Sequence, residues 1–171
     1  MSQRDYNSPS FLPTTGCGCL VLLILLTPVI GVLVLSFFLC GNTNKAKQSE
    51  AKQYVGSMNR AQQAYYAENG VLGNSVAALG IGIKTETTNY KYSLRSTKTT
   101  AFNYALSKQE KEKSFVGGVF LVPAYPNAPK HEMTTSAILC EADSSGTIKP
   151  AEPTEQNDKL ICGKGTTQVT K

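Results

Sequence analysis

The stretch NTNKAKQSEAKQYVGSMNRAQQAYYAENG, residues Asn42–Gly70, predicts one long amphipathic helix. It contains no proline and is rich in Ala, Gln, Lys and Glu, which all favour helix. Asn69-Gly70 is typical of a helix C-cap, because glycine takes the left-handed conformation easily. We therefore expect a helix over 42–69 with one face turned to a core. Apolar side chains at spacings of three and four form that face: Ala51, Tyr54, Val55, Met58, Ala61 and Tyr65.

An uncharged apolar run precedes this helix: GCGCLVLLILLTPVIGVLVLSFFLC, Gly16–Cys40. As a helix, Cys17–Cys40 would rise about 36 Å, enough to cross a hydrocarbon layer of about 30 Å. Its bulky last residues argue against ordinary signal-peptidase cleavage, which needs small ones. We therefore expect a polar leader over 1–16 and a single transmembrane helix over 17–41, in contact with membrane lipid. Lipidation at Cys40 is the alternative.

Pro28 and Gly31 lie inside the apolar run. Proline removes one backbone hydrogen bond and glycine loosens the turn, so we expect a kink near residues 24–31. In lipid the freed carbonyl group needs another partner, which favours burial against neighbouring helices. A simple kinked anchor is the alternative, because both residues are common in membrane helices.

Beyond Gly70 the pattern changes from helix to strand. NYKYSLRS and AFNYALSK alternate aromatic or leucine side chains with smaller or polar ones, which is typical of half-buried antiparallel strands. Ser114–Val122 and Thr135–Ala142 predict two more strands. We therefore expect an α+β domain over 42–171, with the helix packed on the aromatic face of an antiparallel sheet of about four strands within 88–142.

Three other segments predict irregular structure. NSVAAL, Asn74–Leu79, is expected to form one short helical turn. KQEKEK, Lys108–Lys113, is expected to be a solvated turn. The tail from Asp143 onward is rich in Pro, Gly and Thr, so a loop is expected there.

The five cysteines fall into two groups. Cys17, Cys19 and Cys40 lie at the ends of the apolar run, whereas Cys140 and Cys162 lie in the polar C-terminal part. We predict a disulfide between Cys140 and Cys162, which would contribute ~3 kcal/mol and requires an oxidising compartment. Two unrelated thiols are the alternative.

The charges that flank the apolar run and the predicted disulfide indicate opposite sides of the membrane for the C-terminal domain. Arg4 before the apolar run, against Lys45, Lys47 and Lys52 after it, would place the domain in the cytoplasm. The disulfide requires the opposite side, and long folded domains cross largely regardless of charge. We therefore predict a periplasmic or extracellular domain.

The sequence gives little indication of catalysis, metal binding or nucleic-acid binding. The net charge of +5 is spread along the chain without a basic cluster, so nucleic acid is not an expected partner. There is no CxxC, and His131 has no nearby cysteine or carboxylate cluster. Glu141 and Asp143 form a carboxylate pair beside a strand end, but such surface acids are more often solvated than catalytic. We expect no enzyme, no cofactor and no metal.

These features together resemble a type IV pilin. NKAKQSEAKQYVGSMNRAQQAYYAENG, LGIGIKTETTNYKYS, VGGVF and AILCEA are similar to the pilin-like proteins related to general-secretion G and H pseudopilins, over about residues 42–142. The resemblance implies a structural subunit of a pilus or pseudopilus that contacts other subunits through its N-terminal helix. It also implies cleavage by a prepilin peptidase after Gly16, leaving Cys17 first. Cleavage after Gly18 is the second choice. Cys140 and Cys162 match the disulfide loop of the family.

The N-terminus departs from the family at the fifth residue of the mature chain. The family usually has a glutamate there, thought to neutralise the terminal amine of a neighbouring subunit. This chain has Val21, or Leu23 for the second cleavage site. A tip subunit has no earlier neighbour to pair with, so we expect a minor or tip pilin or pseudopilin. The alternative is a permanently anchored pilin-like accessory subunit of another membrane complex.

Exposed loops are where a pilin would bind a ligand. The candidates are Pro123–Glu132 and the bridged tail, with a plain connector as the alternative for the loop.

Overall fold

The structure is a computed structural model, and it describes residues 44–129 and 132–169. These residues belong to one compact unit, Thr43–Lys171. In this part of the chain no helix is both long enough and apolar enough to cross a membrane. Several predictions lie outside the described residues: the leader 1–16, the transmembrane helix 17–41 and the residue His131. They include the predictions for Gly16, Cys17, Pro28 and Gly31.

The described residues form one long helix, one 3₁₀ turn and seven strands. The helix, α1, covers 44–69, and the predicted short turn is present at Ala77–Leu79. The strands are β1 Tyr90–Ser96, β2 Thr100–Ser107, β3 Lys113–Pro123, β4 Met133–Ser145, β5 Thr154–Gln156, β6 Lys159–Ile161 and β7 Thr166–Gln168.

The main sheet has five antiparallel strands in the order β1-β2-β3-β4-β7, and β5 pairs with β6 in a separate hairpin. The predicted α+β arrangement of a helix on an antiparallel sheet is confirmed. Two details are wrong: the sheet has a fifth strand, and the tail expected to be a loop contains β5, β6 and β7. Each of these strands has only three residues, which is too short to show a period of two in the sequence.

The apolar stripe of α1 packs on one face of the sheet. Ala51, Val55 and Met58 are fully buried and meet Tyr90 of β1 and Phe115 of β3 in the larger core. The helix ends at its predicted cap, where the Gly70 amide donates to the Tyr66 carbonyl (2.8 Å) with φ at 69°. Burial of this stripe stabilises α1 on the sheet, since isolated helices are only marginally stable.

The aromatic face of β2 points away from the helix, contrary to prediction. Tyr92 of β1 pairs with Ala105, so Ala105 shares the helix face. Phe102 and Tyr104 lie on the other face in a second, outer core. The expectation that the aromatic faces of both strands meet the helix is therefore wrong for β2. β2 is buried on both faces, so its pattern of large and small residues could not indicate which face meets α1.

The outer core is covered by the segment between β4 and β7, residues 146–165, here called the strap. Leu160 and Cys162 of the strap pack against the outer core, which contains Phe102, Tyr104, Val116, Phe120, Ile138 and Cys140. The sheet is therefore packed on both faces, by α1 on one side and by the strap on the other.

Candidate functional site

Lysines and glutamates gather where the N-terminal part of the described α1 meets the sheet. This lysine–glutamate cluster consists of Lys47, Gln48, Glu50 and Lys52 from α1, Glu112 from the turn before β3, Lys113 at the start of β3, and Glu141 from β4. Glu112 lies in the segment predicted to be a solvated turn, yet it is only 1% exposed. Its carboxylate accepts a hydrogen bond from Gln48 Nε2 (3.2 Å) and pairs with Lys47 Nζ (3.6 Å). The solvated-turn prediction is therefore wrong for Glu112, because the turn folds against α1.

Glu141 is the second paired carboxylate of the cluster. Its two oxygens each lie 2.9 Å from a lysine, Oε1 from Lys113 Nζ and Oε2 from Lys52 Nζ. Burial alone would raise the pKa of Glu141, but the hydrogen bonds from both lysines outweigh it and hold the pKa below its ordinary value. Asp143 accepts a hydrogen bond from Thr167 Oγ1 (2.6 Å). The two acids of the predicted carboxylate pair thus have separate partners, and Glu141 joins α1 to β3 and β4.

Two buried tyrosines extend the cluster beneath α1. Tyr92 donates from its hydroxyl to Glu50 Oε1 (3.2 Å), and Tyr90 donates to the carbonyl of Lys113 (3.1 Å). Burial raises the pKa of both tyrosines, and the neighbouring carboxylates raise it further. Both hydroxyl groups therefore remain neutral hydrogen-bond donors at physiological pH.

A disulfide and an ion pair link the strap to the main sheet. Cys140 and Cys162 form the predicted bridge, with their Cα atoms 5.8 Å apart. Tyr104 donates from its hydroxyl to Glu152, and Arg95 Nη2 lies 2.5 Å from the same carboxylate. Burial acts to raise the pKa of Glu152, but the hydrogen bonds from Tyr104 and Arg95 outweigh it and lower the pKa. Nothing in the sequence singles out Glu152, because its partners lie 48 and 57 residues away along the chain.

In 44–129 and 132–169, the outer edge of β4 is paired over only part of its length. β7 pairs with Cys140–Ala142, and Val169 N donates to Leu139 O (2.9 Å). Asp143 N donates to Gly165 O on the same side, so the odd-numbered residues of β4 direct their backbone groups outward. By this alternation the backbone groups of Thr135 and Ala137 also face outward. No described strand pairs with them, and Gln63 Nε2 donates to Thr135 O (3.2 Å).

Two grooves flank the part of this edge that no described strand covers. The helix-side groove, about 950 Å³, is lined by polar and basic residues of α1 that include Gln53, Arg60 and Gln63. The hairpin-side groove, about 600 Å³, lies beside the predicted ligand loop Pro123–Glu132 and the β5–β6 hairpin. Its lining includes Tyr125, Pro126, Glu155, Asp158 and Leu160.

The hairpin-side groove combines an aromatic ring with carboxylates. Tyr125 is 52% exposed. Glu155 and Asp158 are exposed and make no ion pair with any residue in 44–129 or 132–169. The sequence predicts the Pro123–Glu132 loop and the bridged tail as the places for a ligand. The groove is lined from both, by Tyr125 of the loop and by the hairpin carboxylates of the tail, a juxtaposition that sequence alone does not indicate.

The family described as type IV pilin-like G and H matches residues 48–163. The protein belongs to this family. The matched segment begins inside α1 and ends just after Cys162, so it contains both cores and the disulfide. No curated protein and no solved structure matches the chain. The resemblance predicted from the sequence is therefore confirmed. A pilin-like chain of this family has a structural role as a pilin or pseudopilin, with pilus or pseudopilus subunits as partners.

Proposed function

We propose that this pilin-like protein is a minor or tip subunit of a type IV pilus or pseudopilus. The observation that carries the proposal is the family match over a domain in which one helix packs along an antiparallel sheet. The residues at the fifth mature position, Val21 or Leu23, favour a subunit that does not pair with an earlier neighbour. Burying an unpaired terminal amine costs several kcal/mol, so a chain without the glutamate fits poorly in the middle of a filament.

The proposal includes the domain organisation 1–16, 17–41 and 42–171. A prepilin peptidase would cleave after Gly16 and leave Cys17 at the N-terminus. The apolar helix, kinked near Pro28 and Gly31, would span the membrane before assembly and contact other subunits afterwards. The domain over 42–171 would lie in the periplasm or outside the cell, where the Cys140–Cys162 disulfide is stable.

The lysine–glutamate cluster supports a structural rather than an enzymatic role for this domain. Lys47 and Gln48 of α1 contact the carboxylate of Glu112 in the turn before β3, and Lys52 pairs with Glu141 of β4. A filament subunit that transmits force through α1 needs strong contacts between α1 and the sheet of its domain. We propose no catalysis and no cofactor.

The second candidate is a permanently anchored accessory subunit of another membrane complex. It would dock through residues 17–40 and keep its leader. The missing glutamate supports this candidate as well, since a chain that never enters a filament does not need that carboxylate.

One measurement separates the two candidates. The full-length protein is purified from its native membrane and from sheared filaments, then analysed by intact mass and N-terminal sequencing. We expect a chain that begins at methylated Cys17, or at Cys19 for the second cleavage site, in the sheared fraction. A chain that still carries its leader and stays with the membrane would overturn the pilus proposal and support the anchored subunit.

A further inference from the structure

We propose that the outer edge of β4 binds an extended peptide segment of a partner protein, with basic residues at alternate positions, as an added strand. The bound segment would lie along Thr134–Ile138, between the two grooves. The inference uses only the domain, so it does not depend on cleavage of the leader or on entry into a filament.

The backbone provides the first part of the argument. Val169 N bonds to Leu139 O, and beyond this point the described residues leave the edge without a partner strand. Ala137 offers an outward N–H and an outward C=O, and Thr135 offers an outward N–H. A row of unpaired backbone N–H and C=O groups at a sheet edge is a template for another strand. An added strand of about five residues would continue the ladder in line with β7.

The side chains provide the second part. Successive residues of an added strand point to opposite faces of the sheet, so alternate side chains would enter the hairpin-side groove. There they would meet the carboxylates of Glu155 and Asp158, which lack ion-pair partners among the described residues, and the exposed ring of Tyr125. Carboxylates beside an exposed aromatic ring suit a lysine or arginine side chain, through charge and cation–π attraction.

The opposite face favours polar or acidic side chains. It carries Arg60, Gln53 and Gln63 in the helix-side groove. The guanidinium of Arg60 is exposed, and its only bond among the described residues is to Ser57 Oγ (3.3 Å). The two grooves therefore differ in charge, and this difference would set which face of the peptide carries its basic residues.

The test uses the full-length protein in detergent micelles and the synthetic peptide Ac-TKTKTKT-NH₂. Binding is measured by fluorescence anisotropy, and amide hydrogen exchange is measured by NMR. We expect the amides of Ala137 and Thr135 to exchange at least roughly tenfold more slowly with the peptide present, because they become paired. A peptide of the same charge that is N-methylated at alternate residues cannot complete the ladder, so it should not protect these amides.

Variants separate the backbone contribution from the charge contribution. Ala137→Pro removes the outward N–H without removing a bond to β3, and proline is tolerated at such edge positions. It should abolish peptide binding while the thermal unfolding midpoint changes little. The pair Glu155→Gln and Asp158→Asn should weaken binding about tenfold. The control pair Glu68→Gln and Glu110→Gln, which changes exposed acids elsewhere, should leave the affinity unchanged.

Four outcomes would overturn the proposal. One is an Ala137 amide already protected in the free protein, which would show that the chain covers its own edge. The others are equal binding of the N-methylated peptide, equal binding of the uncharged peptide Ac-TQTQTQT-NH₂, and unchanged binding by a folded Ala137→Pro variant. If the proline variant does not fold, the N-methylated peptide still decides between strand addition and simple charge attraction.

Discussion

Gly117 and Gly118 lie side by side in β3, the middle strand of the main sheet, and face its opposite sides. A Cβ atom on Gly117 would meet the amide of Asn59 from α1, with Nδ2 at 2.7 Å and Oδ1 closer. A Cβ on Gly118 would lie 2.6 Å from Cγ of Pro153 in the strap. The two glycines thus let α1 and the strap approach the sheet from both faces.

Asn59 uses the space above Gly117 for a buried polar contact. Its Nδ2 donates to the carbonyl of Ile138 (2.9 Å), and its Oδ1 accepts from Nδ2 of Asn103 (2.9 Å). The side-chain oxygen of Asn103 is the one buried side-chain polar atom without a partner in the described part of the chain. Because buried polar groups cost free energy when their partners are lost, crowding at Gly117 should affect both the packing and these bonds.

Gly117→Ala should therefore lower the free energy of unfolding by roughly 2–3 kcal/mol through overpacking against Asn59. Urea denaturation followed by circular dichroism measures this change. Gly56→Ala is the matched control, since a Cβ there meets only Arg60 Nη1 at 3.9 Å. In the middle of α1 alanine is better than glycine by about 0.5–1 kcal/mol, so the control should be more stable than the native protein. Equal effects at both sites would contradict the close approach of α1.

Glu152 should make stability depend on pH in the acid range. Its pKa is lowered in the folded protein from an ordinary value of 4.5, so the unfolded chain binds its proton first as the pH falls. The stabilising contribution is complete above about pH 4.5 and is lost as the pH falls towards the folded pKa. Glu152→Gln should lower the free energy of unfolding by roughly 1 kcal/mol at pH 7. It should also reduce the loss of stability below pH 4.5.

The comparison variant for this acid test is Glu155→Gln, which changes an exposed glutamate in the next strand. It should follow the native pH profile, measured as urea midpoints from pH 3 to pH 7. If Glu152→Gln kept the native pH profile, the ion pair between Glu152 and Arg95 would contribute nothing measurable to the free energy of unfolding. Many exposed ion pairs behave in this way.

At the scale of elements, the N-terminal part of α1 is held by charge as well as by apolar packing. Lys47→Met leaves the buried carboxylate of Glu112 with Gln48 as its side-chain partner, so we expect a loss of about 1–2 kcal/mol. Lys45→Met removes an exposed charge two residues earlier, which has no described partner, and should be neutral within about 0.5 kcal/mol. Chemical denaturation of both variants measures the difference. Equal stabilities would mean that Glu112 is satisfied without the lysine.

The strap depends on its disulfide. The bridge closes a loop with a sequence separation of 22, which should stabilise the oxidised protein by about 3 kcal/mol relative to the reduced one. Unfolding with and without reductant measures this contribution. Cys162→Ala is the control, because reductant should not change its stability if Cys140–Cys162 is the bridge responsible. A further loss in that variant would indicate another disulfide in the chain.

The predictability of each element from the sequence follows from how it is buried. α1 was predictable because its stripe of Ala51, Val55 and Met58 is buried on one side only. The pattern of β2 predicts the wrong face because the strand is buried on both faces, with Ala105 under α1 and Phe102 under the strap. The sequence also predicts the wrong environment for Glu112, because charge in a short turn normally indicates solvent. Its burial depends on Gln48, 64 residues earlier in the chain.

The candidate site was less predictable than the fold. The sequence indicates the Pro123–Glu132 loop and the bridged tail as places for a ligand, and one groove is lined by Tyr125 from the loop and by Glu155 and Asp158 from the tail. The carboxylates of Glu155 and Asp158 come from a hairpin whose strands are too short to predict. Among the described residues, β7 pairs with only three residues of β4, and this limited pairing is a tertiary feature without a local sequence signal.

At the scale of the whole domain, the two cores share β2 and β3. Tyr104 and Val116 line the outer core, while Ala105 and Phe115, their neighbours in sequence, line the core beneath α1. Loss of either core would leave one face of the same strands exposed to water. We therefore expect both cores to unfold in one cooperative transition.

Native-state hydrogen exchange measures this cooperativity. The slowest amides of β2 and β3 should all open with the free energy of global unfolding, whichever face their side chains occupy. The two cores would be independent units if the amides of residues with side chains under the strap opened at a clearly lower free energy than the amides of residues with side chains under α1. Tyr104 and Ala105, adjacent in β2, provide the most direct comparison.

The strap also determines how the domain would respond to a broken backbone. Cys140 and Cys162 close a covalent ring that contains the exposed turn at Asn157 and Asp158, where both residues have positive φ. A protease cut at that turn would leave two fragments joined through the disulfide, with β7 still paired to β4. The turn is therefore a suitable place to insert an epitope tag or a protease site, because neither fragment would leave the folded domain.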